Sequence, residues 1–254
     1  MLTRLDHLVV LVRDLGSTVR DYEGLGFTVT PGGEHADGLT RNALIPFEDG
    51  SYLELVAFLD PHDPRDNVWG WRAFLPSGGG LIDYCAASDD LQADARSLQE
   101  RGFDVDGPTD GGRRLPDETE IRWRVARIRQ DGRLLPFLIE DVTSRSLRVP
   151  GGSAAEHPNG ATGIARLELV APDSRAATRS LKALIEAPDE YLRLGACTLV
   201  PVAPGRDNEA RSHLYAAKPG PLVVALATGG QGEGEELDLR RSNGVGIRLL
   251  GRTA

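Results

Sequence analysis

Two segments near the N-terminus give the strongest indication of the fold. They are Leu5-Asp6-His7-Leu8-Val9-Val10-Leu11-Val12-Arg13-Asp14-Leu15 and, further along the chain, Leu25-Gly26-Phe27-Thr28-Val29. The same pattern recurs 76 residues later, over 25 positions and without a gap. The matching pairs are Leu5 and Leu81, Asp14-Leu15 and Asp90-Leu91, Gly26-Phe27 and Gly102-Phe103, and Val29 and Val105. A repeat at a fixed spacing indicates that one structural unit is used more than once.

Both copies predict the same order of elements. An apolar strand precedes an aspartate, Asp14 or Asp90, which is suited to cap the start of a helix. The helix is expected to end at a glycine, which adopts positive φ at little cost. A short strand, a Gly-rich turn (31–33 or 110–112) and two strands joined by a hairpin-like turn complete each copy. Each copy is therefore predicted to be a β-α-β-β-β module.

The rest of the chain carries a weaker third copy. It is expected to contain a helix over 175–186 and strands over 213–217 and 221–227. Before it lies a segment rich in Ser, Gly and Pro, which is typical of a linker.

The sequence thus predicts two regions. Residues 1–150 hold the paired modules, one over 1–76 and one over 77–150, and residues 151–254 hold the linker and the degenerate third module.

Composition limits the classes of function. A net charge of −9 argues against nucleic-acid binding, because phosphate contacts need a basic face. No apolar run reaches the roughly 18–20 residues of a membrane helix, and the N-terminus has no signal-peptide core, so we expect a cytoplasmic protein without a membrane partner. Cys85 and Cys197 lie in apolar strand-like contexts and are expected to be small buried side chains.

Several stretches resemble one superfamily, the vicinal oxygen chelate proteins, which include glyoxalase I, extradiol dioxygenases and methylmalonyl-CoA epimerase. More closely, the chain is similar to uncharacterised proteins with a glyoxalase-like domain, over about residues 4–175. The resemblance implies an α+β fold in which two β-α-β-β-β modules pair into an open, cup-shaped mixed sheet of eight strands. The stretches that carry it are Leu5-Asp6-His7-Leu8-Val9-Val10, Asp49-Gly50-Ser51-Tyr52-Leu53-Glu54-Leu55, Arg122-Trp123-Arg124, Leu135-Pro136-Phe137-Leu138-Ile139-Glu140 and His157-Pro158-Asn159-Gly160.

The resemblance also implies a divalent metal ion on the floor of the cup, held by side chains from the first and last strand of each module. It assigns His7, Glu54 and Glu140 as ligands, and the repeat places Asp83 opposite His7 as a further candidate. Imidazole and carboxylate ligands suit several divalent ions, so Mn, Fe, Mg, Ni and Zn all stay open. The alternatives without a metal are that His7 is a hydrogen-bonded structural histidine, that Glu54 forms a structural ion pair with an arginine, and that Glu140 is a solvated carboxylate.

The third copy offers no such ligands. Arg166 and Val224 occupy its first-strand and last-strand positions. We therefore expect it to cover an edge, close the cup or pair in a homodimer.

A second set of residues is suited to bind substrate. Arg41 and Asn42 open the third strand of the first module, and Trp123 and Arg124 lie on the matching strand of the second, where they face opposite sides. Arginine suits a carboxylate or phosphate, and tryptophan suits an apolar ring. His157 belongs either to an ordinary turn or to a loop over the mouth of the cup.

Together with the resemblance, these residues predict a metal-dependent enzyme that acts on a small oxygenated substrate. Lyase or isomerase chemistry of the glyoxalase kind is preferred, with Glu140 as the carboxylate that carries the proton. Dioxygenase chemistry is less favoured, because the two-histidine, one-carboxylate set typical of iron is not visible in the sequence. The alternatives are a metal-free protein that sequesters a small molecule and a homodimer whose site has decayed.

Overall fold

A computed structural model describes residues 2–115, 117–186, 191–204, 218–230 and 234–251. Eight strands form a closed barrel in the order β1-β4-β3-β2-β6-β7-β8-β5. The first half of the barrel comprises β1 (Leu2–Leu11), α1 (Leu15–Gly24), β2 (Thr30–His35), β3 (Thr40–Pro46) and β4 (Tyr52–Phe58). The second half comprises β5 (Gly80–Ser88), α2 (Leu91–Glu100), β6 (Val105–Arg114), β7 (Glu120–Ile128) and β8 (Phe137–Asp141).

The predicted tandem modules are confirmed, but the expected open cup is closed. The two halves meet along β1 and β5, and again along a second seam between β2 and β6. At that seam Glu34 pairs with Arg114 and His35 pairs with Arg113. These antiparallel pairs join the outer strands that an open cup would leave free, so the barrel has no exposed edge.

The helix caps follow the repeat. The Asp14 carboxylate accepts a hydrogen bond from the backbone of Ser17 at 2.6 Å, and that of Asp90 accepts one from Ala93 at 3.0 Å. Both bonds satisfy backbone donors that the first turn of a helix leaves free. Aspartate therefore fixes the start of α1 and of α2.

The Gly-rich segments, which the sequence predicts as turns, lie inside strands. Gly32 and Gly33 belong to β2, and Gly111 and Gly112 belong to β6. A Cβ atom on Gly111 would lie 2.5 Å from Nε1 of Trp123, which is closer than real Cβ contacts. Glycine is needed here because a neighbouring side chain approaches the backbone, and not because the chain turns.

The described strands after residue 160 form a second sheet in the order β10-β11-β9-β12-β14-β13. One hydrophobic cluster contains Leu8 and Tyr84 from β1 and β5 together with Leu167 and Leu226 from this sheet, which therefore packs on the outside of the barrel. The elements beyond the barrel are α3 (Arg145–Arg148), β9 (Ala161–Val170), α4 (Ser174–Ile185), β10 (Arg193–Leu194), β11 (Cys197–Val202), β12 (Gly220–Thr228), β13 (Glu235–Glu236) and β14 (Gly246–Leu250).

Several smaller expectations can be compared with these elements. The strand expected over 221–227 lies within β12, whereas the one expected over 213–217 lies outside the described residues. Cys85 and Cys197 are both buried and free, as expected. Within the described part of the chain, no helix is both long and apolar enough to cross a membrane.

Candidate functional site

The interior of the barrel holds a cavity of about 290 Å³. Alternate residues of each strand point inward, so the polar residues that interrupt apolar strands face this space. His7 on β1, Asn42 on β3 and Glu54 on β4 line it, and each is less than 5% exposed. The remaining wall is largely aromatic and apolar, from Trp69, Trp71, Trp123, Val125, Phe137 and Ile139.

One buried carboxylate organises the polar side of the cavity. Oε2 of Glu54 lies 3.4 Å from Nε2 of His7, and Oε1 lies 3.4 Å from Nε2 of His35. Asn42 donates a hydrogen bond of 2.5 Å from Nδ2 to the same Oε1. The Oδ1 atom of Asn42 is buried without a hydrogen-bond partner. An ion pair with an arginine was the structural alternative for Glu54, and the side chains beside its oxygens are instead two histidines and an asparagine.

Both histidines are held by their other ring nitrogen. Nδ1 of His7 lies 2.7 Å from Oδ1 of Asp6, and Nδ1 of His35 lies 2.7 Å from the hydroxyl of Thr40. When Nδ1 carries the proton and donates it to these oxygens, Nε2 keeps a lone pair that could bind a metal ion beside Glu54. Metal-binding histidines are commonly oriented in this way by a carboxylate or another oxygen.

The charge of Glu54 is strongly stabilised. Burial alone raises its pKa, but the adjacent imidazoles of His35 and His7 and the amide of Asn42 outweigh burial and lower the pKa to about 2. The side chain is therefore a carboxylate at neutral pH, and an ionised carboxylate is the form that binds a metal ion.

A buried arginine in the wall of the cavity joins the two halves of the barrel. Arg148 of α3 donates to Asp6 of the first half at 2.9 and 3.0 Å and to Asp141 of the second half at 2.5 and 3.0 Å. It also donates to the hydroxyl of Tyr52 at 2.8 Å. The charge of Arg148 holds the pKa of Asp6 well below its usual range, although burial opposes that shift.

The contacts of Asp6 bear on whether Asp6, His7 and Cys85 could bind a metal ion. Ligand atoms of Asp6, His7 and Cys85 lie within 4.8 Å of one another. The oxygens of Asp6, however, are already bound by Arg148 and Arg145, and burial raises the pKa of the Cys85 thiol so that it stays protonated. A metal ion needs a thiolate and free carboxylate oxygens. As they stand, Asp6 and Cys85 are therefore poorly suited to bind a metal ion.

The second half of the barrel lacks the ligands that the repeat predicts. Asp83, the counterpart of His7, accepts a hydrogen bond from the Trp71 indole at 3.0 Å and forms an ion pair with Arg133 at 3.0 Å. Burial raises the pKa of Asp83, and the charge of Arg133 opposes that shift. With both partners in place, Asp83 is a structural acid behind Trp71.

The sequence mapping placed Glu140 as the last-strand counterpart of Glu54, and the structure places it elsewhere. Cys85, the counterpart of Val9, pairs with Phe137, just as Val9 pairs with Glu54, so Phe137 stands in the place of Glu54. Ile139 faces the cavity, and its neighbour Glu140 faces the other side of β8. There the Glu140 carboxylate pairs with Arg124 at 2.7 Å and accepts from the first backbone N–H of α2 at 3.4 Å. Neither Glu140 nor Arg124 joins His7 and Glu54.

Of the other predicted contacts, Asn42 and Trp123 line the cavity, whereas Arg41 is exposed outside it. His157 also lies elsewhere. Its Nδ1 accepts from the backbone of Thr28 at 3.0 Å, and its Nε2 lies 2.8 Å from the carbonyl oxygen of Pro46. It attaches the linker to the barrel, as expected for an ordinary turn and not for a loop over the mouth of the cavity.

Among the cavity residues that the sequence-based set lacks, two bear on the chemistry of the site. His35 and Arg113 are paired across the β2–β6 seam, and both line the cavity. The only signal in the sequence is that each ends a Gly-rich segment, which reads as a turn. Their inward direction follows from strand pairing between the two halves, and that pairing is a long-range feature.

The barrel of two β-α-β-β-β halves around a polar and aromatic cavity is the architecture of the vicinal oxygen chelate superfamily, whose members commonly use a divalent metal ion. A profile described as a glyoxalase-like domain matches residues 5–185. The chain therefore belongs to the glyoxalase-like domain family, as the resemblance implied.

Individual relatives agree with this assignment. The uncharacterised protein YwbC of Bacillus subtilis is 27% identical over 95 residues, which cover 37% of this chain and 68% of YwbC. A hypothetical protein from Staphylococcus aureus is 15% identical with a TM-score of 0.77, over 99% of this chain and 100% of that one. A mutant of 4-hydroxymandelate synthase from Streptomyces coelicolor is 15% identical with a TM-score of 0.62, over 90% of this chain and 71% of that one. At these identities the two structures support the fold alone.

Glu54 can be compared with each histidine in turn for the spacing that two ligands of one divalent ion have. Ligands bound at about 2.1 Å to one ion lie about 3.0–3.4 Å from each other. Oε2 of Glu54 lies 3.4 Å from Nε2 of His7, and Oε1 lies 3.4 Å from Nε2 of His35, so each pair has a spacing that is long for a hydrogen bond and suitable for neighbouring ligands. Among the described residues, the three ligand atoms that all lie within 4.8 Å of one another belong to Asp6, His7 and Cys85, so one ion could bind both His7 and His35 only if the two imidazoles moved closer together. Imidazole nitrogen and carboxylate oxygen are also the donor types that such ions accept.

Proposed function

We propose that the protein is a metal-dependent enzyme of the vicinal oxygen chelate type, acting on a small oxygenated substrate in the barrel cavity. His7, Glu54 and His35 would hold the ion. The observation that carries the proposal is that one buried carboxylate faces two imidazole Nε2 atoms, while Asp6 and Thr40 hold the Nδ1 atoms. A bound divalent ion would polarise the substrate oxygens and stabilise an oxyanion.

The residues of the chain have separate roles in this proposal. Asp6 and Thr40 orient the two imidazoles, and Asn42 fixes Glu54 by its hydrogen bond at 2.5 Å. Trp71 and Phe137 exclude water from one side of the cavity, which strengthens polar interactions on the other. At about 290 Å³ the space is at the lower end for ligand sites, in keeping with a small substrate.

His35 favours a second candidate within the same class. With it, the donor set becomes two histidines and one carboxylate, which suits Fe(II) and oxygen chemistry. Glyoxalase-like lyase or isomerase chemistry needs no such preference for iron. The metal that copurifies with the protein separates these candidates: iron would favour oxygen chemistry, and Zn, Ni, Mn or Mg would favour the lyase or isomerase.

The test is elemental analysis of protein purified without chelators and without a metal-affinity tag. We expect about one divalent ion per folded chain, because three protein ligands with fixed orientations bind tightly. His7→Ala, Glu54→Gln and His35→Ala should each remove most of the metal. Glu140→Gln is the matched control, since its carboxylate lies on the outer side of β8, and it should keep the metal content of the wild type.

Two outcomes would contradict the proposal. Wild-type protein without metal after reconstitution, but with a tightly bound organic molecule, would favour the metal-free binding protein. Loss of metal in Glu140→Gln together with retention in His35→Ala would restore the ligand set that the sequence predicted.

A further inference from the structure

The cavity contains a charge that lacks a counter-charge. Arg113 on β6 lines it and is only 4% exposed. Its Nη2 donates to the carbonyl oxygen of Arg148 at 2.6 Å, whereas its Nε is buried without a hydrogen-bond partner. Among the described residues, no carboxylate oxygen lies within 4.0 Å of its guanidinium.

Burying the charged guanidinium of Arg113 costs free energy unless an anion binds to it. Guanidinium stays protonated, and an isolated charge out of water costs several kcal/mol. Glu54 is near enough to act on Arg113, but its two oxygens face His7, His35 and Asn42. The nearby Arg148 adds repulsion and is itself neutralised by its own aspartates.

The place of Arg113 says where the missing anion would lie. Arg113 and His35 are directly opposite on neighbouring strands, so their side chains leave the same face of the sheet about 5 Å apart. An anionic group bound to Arg113 would therefore lie beside the proposed metal ligands.

The remaining wall indicates what the anion is attached to. The rings of Trp69 and Phe137 lie 4.4 Å apart between centroids, and Trp69 stacks on Trp71 at 5.9 Å. Trp123 meets His35 edge to face at 6.2 Å. Flat aromatic walls in a small cavity favour a planar ring over a long or branched chain.

We infer that the substrate of this cavity is a small aromatic carboxylate, whose carboxylate is bound by Arg113 and whose ring packs against the tryptophan wall. This deepens the proposed function and rests on the same cavity being the substrate site. Arginine is suited to the task because its planar fork binds a carboxylate through two hydrogen bonds.

The test uses benzoate and benzamide as probes of the same shape and different charge. All three tryptophans of the chain line the cavity, so intrinsic fluorescence reports binding. Wild-type protein should bind benzoate at least about tenfold more tightly than benzamide. Arg113→Met should weaken benzoate binding about tenfold to hundredfold and leave benzamide unchanged. Arg114→Met, the exposed neighbour on β6, is the control and should behave as wild type.

Each result has a defined reading. Equal affinity for the two probes, or binding of neither up to its solubility limit, overturns the inference. If Arg113→Met does not fold, Arg113→Lys keeps the charge and loses the fork, and the preference for benzoate should fall; an unchanged preference contradicts the assignment. Repeating the titrations after metal removal separates the two proposals. If the protein prefers benzoate over benzamide but never binds metal, the carboxylate site is supported and the metal centre is not. If it binds metal but shows no preference for benzoate, the metal centre is supported and the carboxylate site is not.

Discussion

The two halves of the barrel share one topology and one sequence repeat, yet they furnish the cavity differently. The first half supplies His7, His35 and Glu54, with one imidazole beside each oxygen of the carboxylate. The second half has Phe137 in the place of Glu54, and it has Arg113 across from His35. A duplicated fold therefore does not require a duplicated site. Here one half provides the groups that suit a metal ion, and the other provides an apolar wall and a cation that suit the rest of a ligand.

The largest effect is expected where the two halves are joined. Arg148→Met leaves Asp6 and part of Asp141 without their buried partner, and breaking one side of a buried ion pair costs about 3–5 kcal/mol. Urea unfolding followed by circular dichroism measures the change. The control is Arg114→Met, because its ion pairs with Glu118 and Glu120 are exposed and contribute at most about 1 kcal/mol. If the two variants unfold at the same urea concentration, Arg148 does not hold the halves together.

The next effect concerns the orientation of His35 in the first half. Thr40→Val keeps the shape of the side chain and removes the hydroxyl that lies 2.7 Å from Nδ1. We expect metal affinity to fall about 10–100-fold, which is typical when an orienting partner of a ligand is lost. Competition with a chromogenic chelator measures this change. Thr18→Val, a buried threonine on α1 that is remote from the cavity, is the matched control. An unchanged affinity in Thr40→Val would remove His35 from the ligand set.

A smaller effect sharpens the contrast between repeat counterparts. Asp83 occupies the place of His7 but pairs with Arg133 and Trp71. Asp83→Asn keeps an acceptor for the indole and loses the charge, so we expect a loss of about 1–2 kcal/mol of stability and an unchanged metal content. Thermal unfolding and elemental analysis of one sample measure both quantities. A loss of metal equal to that of His7→Ala would mean that the second half also supplies a ligand.

Much of the first half could be read from the sequence. The caps Asp14 and Asp90 mark the helix starts, and His7 and Glu54 interrupt strands that are otherwise apolar, which predicts that they face a polar interior site. The repeat predicted two halves because its spacing is constant through the first strand and helix of each copy.

The second half could not be read in the same way, since its later loops differ in length. Phe137 lies 83 positions after Glu54, whereas assigning Glu140 required 86. The difference of three is odd, and an odd slip moves a side chain to the opposite face of a strand. His35 lies in a short Gly-rich strand without an apolar alternation, so only its pairing with Arg113 across the seam turns it inward.

The smallest effect tests how His157 attaches the linker to the first half of the barrel. His157 accepts a hydrogen bond from Thr28 and lies against the carbonyl of Pro46. Burial lowers its pKa, and the hydrogen bond with the Pro46 carbonyl and the charge of Glu48 oppose that shift. Below the usual pKa of about 6.5 the unfolded chain takes up a proton that the folded chain does not. Stability should therefore fall as the pH falls through this value. Melting temperatures between about pH 7.5 and about pH 5.5 should decrease more for the wild type than for His157→Gln. Parallel curves for the two proteins would mean that the attachment of the linker does not depend on a neutral imidazole.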